Sequence, residues 1–166
     1  VNLGCTYFNQ ILSDENDKEV IYHLADKGKE STGNSYYKEL TNNYTEGNSL
    51  KLKTKTLDTM IYEHNIPLPE FIKMDVQGAE VDIIKGGSQA FKYAKAVMLE
   101  IPIMRYNEGA PTFDTYINTM CELGFIPTGV HNIAMRHAVV NQMDIIFVKA
   151  DVNNSIHNHK KRYKGL

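Results

Sequence analysis

Apolar and polar positions divide the chain into a loosely patterned front and a sharply patterned rear. From Val1 to Leu12 strand-forming residues recur (Val1, Leu3, Cys5, Tyr7, Ile11, Leu12), and Ser13-Asp14-Glu15-Asn16-Asp17 is a turn signal. Glu19 to Ala25 alternates through Val20, Tyr22 and Leu24, which predicts a strand paired back on the first as a hairpin. Asp26 to Asn48 is polar, with Gly28, Gly33, Gly47 and three tyrosines (Tyr36, Tyr37, Tyr44), and is either a linker or a functional loop. Leu50 to Lys55 predicts a further short strand.

The rear is clearer. Thr56 is placed to cap a helix with Leu57, Met60, Ile61 and His64 at helical spacing, stopped by Asn65, Pro67 and Pro69. Phe71 to Val76 is a nearly continuous apolar run, as expected for a strand covered on both faces. A helix with Val81 and Ile84 follows Gly78 and closes at Gly86-Gly87. Ala96 to Met104 predicts a second buried strand whose regular pairing ends at Pro102. Thr112 caps a helix with Phe113, Tyr116, Ile117 and Met120 inward and Gly124 as its stop. Phe125 to Val130 and Met143 to Val148 read as two closing strands, antiparallel to each other. The order helix, strand, helix, strand, helix, strand, strand predicts an α/β domain around a largely parallel sheet.

Length and charge narrow the class. With 166 residues the chain fits one α/β domain over residues 1–152, followed by a polar, basic tail over 153–166. Eighteen basic against twenty acidic side chains leave no positive field for a nucleic-acid backbone, so no nucleic-acid partner is expected. No apolar run approaches the ~20 residues of a membrane helix, and no signal-peptide pattern precedes the first strand. Cys5 and Cys121 stand far apart in no metal-ligand spacing; they read as small buried hydrophobes in a reducing, cytoplasmic setting. Val1 opens directly in strand-like sequence, which reads as a piece of something longer.

Ligands of open parallel sheets bind beyond the carboxyl ends of the strands. Asp75 and Gln77 stand there after the Phe71 strand, Glu100 ends the Ala96 strand, and His131 and Asn132 follow the Phe125 strand. If the first two strands are neighbours, Asp75 and Glu100 share a rim, where a carboxylate can orient an ammonium or hydroxyl, act as general base or hold a metal ion. Asp75 could equally be a helix cap. Glu100, among Met98, Leu99, Ile101 and Ile103, needs a partner if it is buried. Lys73 either pairs with a carboxylate or reaches to a rim. The tyrosines of the polar loop either stack on a ligand ring or anchor the loop. The six histidines have no metal-site spacing.

These residues carry a resemblance. Thr56-Leu57-Asp58, then Phe71-Ile72-Lys73-Met74-Asp75-Val76-Gln77-Gly78-Ala79-Glu80, then Ile84-Lys85-Gly86-Gly87 and Leu99-Glu100, resemble the FkbM-type methyltransferases, and Gly124-Phe125 and Gln142 to Val148 fit that family's closing strands. The resemblance implies a Rossmann-like class I methyltransferase sheet that uses S-adenosyl-L-methionine, acting on a hydroxyl of a sugar or small metabolite. It implies Asp75, Gln77 and Gly78 at the methyl donor and Asp75, Glu100 and His131 as catalytic candidates, with a divalent metal possible. Gln77 departs from the usual Glu of the motif.

The front departs further. A glycine-rich loop after a first strand and an acid after a second would hold the donor, and neither is present: Gly4 is isolated, and Gly28 and Gly33 lie in the polar loop. Val1 to Leu12 resembles the family's third strand. The expected molecule is therefore an N-terminally truncated sheet, and the alternative to an enzyme is a non-catalytic α/β binding module lacking the donor half-site. In the family topology two strands lie between the third and the fourth. Without them the Phe71 strand has a bare edge, to be covered by the Val1 hairpin or by a second copy in a homodimer.

Overall fold

The computed structural model describes residues 4–29 and 31–153. Two sheets form. The first contains β1 (Ile11–Leu12), β2 (Glu19–His23) and β3 (Ser49–Lys55) in the order β1-β3-β2. The second contains β4 (Phe71–Met74), β5 (Ala96–Pro102), β6 (Phe125–Arg136) and β7 (Val139–Lys149) in the order β4-β5-β7-β6. Among the described residues the helices are α1 (Leu57–Glu63), α2 (Glu80–Lys85), α3 (Ser88–Tyr93) and α4 (Phe113–Glu122).

The front departs from the sequence expectation. Among the described residues of the Val1 segment only Ile11 and Leu12 are strand, and they pair in parallel with Thr54 and Lys55 of β3. β2 pairs antiparallel with β3, so the expected hairpin of the first two strands does not form. The reason is long-range: Lys51, Leu52 and Lys53 of β3 align opposite Ile21, Val20 and Glu19, and Ser13 donates its N–H to the Lys55 carbonyl at 2.9 Å. No strand of this sheet pairs with β4, whose other edge is free among the described residues. Docking of the front hairpin onto the Phe71 strand is thus not what the chain does. Residues 1–3 of that segment, and the expected tail beyond Asn153, lie outside the described residues.

Within the second sheet β4 and β5 are parallel, while β7 runs antiparallel to both β5 and β6. The sheet is therefore mixed, and the closing pair is antiparallel as the sequence predicts. Its two faces differ. Ile72, Met74, Val97, Leu99, Ile101, Ile145 and Phe147 point to a core closed by Val81 and Ile84 of α2, Phe91 of α3, and Tyr116 and Met120 of α4. Fully burying side chains such as these contributes about 1.5–3 kcal/mol each. The opposite face is open: Phe71 is 55% exposed, Lys73 is exposed, and Met98, Glu100 and Ile146 are half-buried. β4 alternates, and the expectation of cover on both faces is not met.

Capping sets the helices. Thr56 accepts the Thr59 N–H at 3.2 Å and starts α1. Asp58 reaches across to α3, accepting the N–H groups of Gln89 and Ala90 and the hydroxyl of Ser88. Thr112 stands at the N-cap of α4, with its hydroxyl against that of Thr115 at 2.9 Å. On α4, Tyr116 and Met120 are buried as expected, but Phe113 is 37% exposed, since it occupies the first position before the helix meets the sheet. Cys5 and Cys121 are both exposed free thiols, contrary to the expectation of burial; Cys121 lies on the solvent side of α4, beside buried Met120. Among the described residues no helix is long and apolar enough to cross a membrane.

Candidate functional site

The parallel pairing of β4 and β5 puts their carboxyl ends side by side, with Met74 opposite Leu99. One residue further on, Asp75 leaves β4, while Glu100, expected to end its strand, is still paired within β5, which runs on to Pro102; the two stand side by side at the end of β4. Asp75 caps no helix, because α2 begins at Glu80 behind Ala79. Between the two carboxylates lies the Gln77 side chain. Its Nε2 donates to Asp75 Oδ1 at 3.1 Å and to Glu100 Oε1 at 2.8 Å. Its Oε1 faces the Tyr106 hydroxyl at 3.4 Å, and that hydroxyl donates to Gln142 Oε1 at 2.5 Å. The amide orientation follows from these partners: nitrogen between two acceptors, oxygen toward a hydroxyl.

The charges around this bridge are unequal. Lys73 pairs with Asp75 Oδ2 at 2.9 Å in an exposed ion pair. Burial pushes the Asp75 carboxyl up, but the Lys73 hydrogen bond and charge, with the Gln77 amide, hold it below its ordinary value. Glu100 moves the other way. Burial first, then the charge of Asp75, raises its carboxyl to about 7, and Asp144 adds repulsion while Gln77 works against the rise. Asp144 is the cross-strand neighbour of Glu100 on β7, and like charges directly opposite in a sheet disfavour the ionised form. Two neighbouring carboxylates therefore have separated titrations, with Glu100 half-buried rather than fully enclosed.

Two loops are zipped together over this rim. Leu40 donates its N–H to the Tyr106 carbonyl at 2.7 Å, Glu108 donates to the Lys38 carbonyl at 2.8 Å, and Asn107 Nδ2 donates to the Tyr37 carbonyl at 2.9 Å. Buried Ser35 donates its hydroxyl to the Val76 carbonyl at 3.3 Å. Tyr36 and Tyr37 both donate their hydroxyls to Asp82 Oδ2 of α2, at 3.2 and 2.8 Å, and Tyr44 donates to Asn34 Oδ1. The tyrosines are thus loop anchors, with hydroxyls already engaged. Beneath the loops, between β1 and the end of β4, lies a cavity of about 400 Å³. Asp75, Gln77, Asn34 and Tyr36 reach it from the polar side, and Ile11, Leu12 and Ile83 form apolar wall; the described lining residues include no Lys, Arg or His.

His131 is not part of this arrangement. The Phe125 strand runs on to Arg136, so His131 lies within β6 rather than beyond its end. It is the extra residue of a bulge, since Val130 pairs with Ile145 and Asn132 with Asp144. Exposed, and on a strand two spacings (about 10 Å) from β5, it stands apart from the carboxylates. No group of three or more His, Cys, Asp or Glu among the described residues is placed to hold a metal ion. Gly78, with φ 103°, follows Gln77 and turns the chain into α2.

Four participants are not among the site residues expected from the sequence: Tyr106, Gln142 and Asp144 around the bridge, and Glu80 beneath it. Glu80 is visible as the last acid of the Lys73 to Glu80 string, and Asp144 as an acid inside an apolar strand. Nothing local marks Tyr106 or Gln142.

An α/β chain with two bridged carboxylates where β4 ends beside β5, and a cavity next to one of them, has the layout of a small-molecule site in an open sheet. Residues 1–127 match the family model described as the methyltransferase FkbM domain, and the chain belongs to that family. Over 57 residues it is 35% identical to the hexuronic acid methyltransferase AglP of Haloferax volcanii, a stretch covering 34% of this chain and 23% of that protein. The aligned part thus spans about a quarter of that relative's length. No solved structure matches.

Proposed function

We propose that this chain is part of an S-adenosylmethionine-dependent O-methyltransferase acting on a hydroxyl of a saccharide or small metabolite, with the donor taken in the cavity beside Asp75. The observation that carries this reading is the Gln77 bridge between Asp75 and Glu100, two carboxylates whose titrations are pushed apart. Such a pair assigns its own roles: the lowered acid stays ionised, and the raised one exchanges protons near neutrality.

The lining of the cavity suits the positively charged end of the donor. It offers the Asp75 carboxylate, whose charge Lys73 offsets in part from outside the lining, and the described lining residues add no basic side chain, so a cation is favoured over an anion. When bound, the donor supplies an electrophilic methyl group on a sulfonium sulfur. Asp75 and Gln77, which line the cavity, are the residues that would hold that end; Gly78, expected beside them, is buried outside the lining with its N–H on Glu80. Glu100 takes the proton of the acceptor hydroxyl as the new oxygen–carbon bond forms, which a base with a pKa near the working pH does best. Gln77 keeps Glu100 turned toward Asp75, and Tyr106, engaged with Gln142, closes one side of the bridge. The likeness to a hexuronic acid methyltransferase supports a saccharide-class acceptor.

Calorimetric titration of S-adenosylmethionine into the protein tests this. Saturable binding that weakens about tenfold or more in Asp75→Asn is expected, tenfold being about 1.4 kcal/mol. No heat at millimolar donor would overturn the reading and leave a binding module.

A further inference from the structure

We infer that Glu80 is a positioning residue: its buried carboxylate locks the turn between β4 and α2 and so aims Gln77 at Asp75 and Glu100. This rests on reading those three as the working site. Glu80 is 1% exposed, and its side chain folds back on the chain that precedes it. Oε1 accepts the Val76 N–H at 3.0 Å; Oε2 accepts the Gly78 N–H and the Tyr116 hydroxyl, each at 3.0 Å. A buried carboxylate is retained only where its oxygens are satisfied, and three donors meet that demand here.

What lies between the two pinned amides is the significant part. Gln77 has φ 56° and Gly78 φ 103°, consecutive left-handed residues, and a non-glycine side chain disfavours that region. Fixing Val76 and Gly78 on either side leaves Gln77 no relaxed alternative. In that conformation its side chain turns back across the rim to reach both carboxylates. Tyr116 carries the constraint into α4, where it is fully buried. The series Tyr116, Glu80, turn, Gln77, Glu100 thus joins the core to the site through hydrogen bonds.

A purely structural acid would change stability and leave Glu100 alone, so the titration of Glu100 separates the two roles. The groups facing Glu100 are Lys73, Asp75 and Gln77 from the β4 end, Tyr106 from the loop after β5, and Asp144 from β7. The measurement is the carbon-13 carboxyl titration of Glu100 in the full chain, for wild type, Glu80→Gln, Gln77→Ala and the double variant. Gln77→Ala removes the donor that opposes the rise, so the midpoint moves up from about 7. Glu80→Gln has the same shape, but its amide hydrogens face a backbone N–H. It should move the midpoint up by the same interval, with no further movement in the double variant. A folded Glu80→Gln with the wild-type midpoint overturns the inference, as does a double variant that adds the two shifts. If Glu80→Gln does not fold, Tyr116→Phe decides: a smaller upward move supports the inference and no move overturns it. If Gln77→Ala leaves Glu100 unmoved, the bridge itself fails, and the proposed site fails with it.

Discussion

Asp58 Oδ1 accepts the backbone N–H of Ala90 at 3.1 Å, thirty-two residues along the chain. The same carboxylate takes the N–H of Gln89 at 2.9 Å and the Ser88 hydroxyl at 3.1 Å through Oδ2. It therefore caps α3 from the first turn of α1 and ties together the two helices that precede and follow the β4–α2 unit. Asp58→Ala should lose about 1–2 kcal/mol, the range for a lost N-cap, in urea denaturation. Donor binding should be unchanged, because no partner of Asp58 touches the Gln77 bridge.

Tyr36 and Tyr37 share one acceptor, Asp82. Either Tyr→Phe change removes one hydrogen bond and should cost about 0.5–1.5 kcal/mol. Asp82→Ala leaves two part-buried hydroxyls without that partner and should cost more than either. Limited proteolysis between residues 31 and 44 reads the consequence directly. Faster cleavage in Asp82→Ala than in the single tyrosine variants is expected, and equal rates would show that the loop is held by the Leu40–Tyr106 contact instead.

Gly78 admits no side chain. A Cβ there would lie 2.9 Å from the Ala110 Cβ and 3.3 Å from the Tyr37 Cβ, at a φ of 103°. Gly78→Ala combines a disfavoured backbone with a steric conflict against two loops, and should cost about 1–3 kcal/mol. Because the neighbouring residue is Gln77, the variant should also weaken donor binding. A thermal melt and a donor titration on the same sample check both.

The α1–β4–α2–β5 stretch was legible because its signals are local: a threonine cap at Thr56, apolar runs at Phe71 and Ala96, glycines at Gly78 and Gly86. The placement of Asp75 and Glu100 on one rim follows from parallel neighbours of known length. What was not legible depends on distant partners. α3 takes its cap from Asp58, so nothing near Ser88 announces it. β1 and β2 each choose β3 over one another, a choice set by register some thirty to forty residues away. Tyr106 reaches Gln77 because Leu40 and Lys38 zip the polar loop to it. His131 was misplaced because three register shifts let β6 continue past it.

Asp75 tests the site without testing the fold. Its ion pair with Lys73 is exposed on both sides, 43% and 41%, and such pairs contribute about 0–1 kcal/mol. Asp75→Ala should therefore leave the circular-dichroism melt close to wild type while abolishing methyl transfer. Undiminished turnover with an unchanged melt would remove Asp75 from the mechanism.

The sharpest consequence concerns pH. Burial and the neighbouring Asp75 charge push the Glu100 carboxyl up to about 7 in the folded chain, above its ordinary value of 4.5. A carboxyl raised in this way favours the folded state most below its unfolded pKa, and that contribution is lost as pH rises through the folded value. Between about 4.5 and 7 the native state holds a proton on Glu100 that the unfolded chain releases, so this group makes stability fall with rising pH across that window. Catalysis runs opposite. With Glu100 as the proposed base, only its ionised form would accept the hydroxyl proton, so kcat should climb through a limb near 7 and level above it. Glu100→Gln should abolish that limb together with most of the turnover, and flatten the Glu100 part of the stability profile. Asp144→Asn removes the cross-strand charge while keeping the shape, so it should lower the midpoint and carry the rate limb to lower pH. Denaturant midpoints across pH 4 to 8, compared with the rate profile of the same variant, give both readouts; limbs that fail to move together would separate the titrating group from the catalytic base.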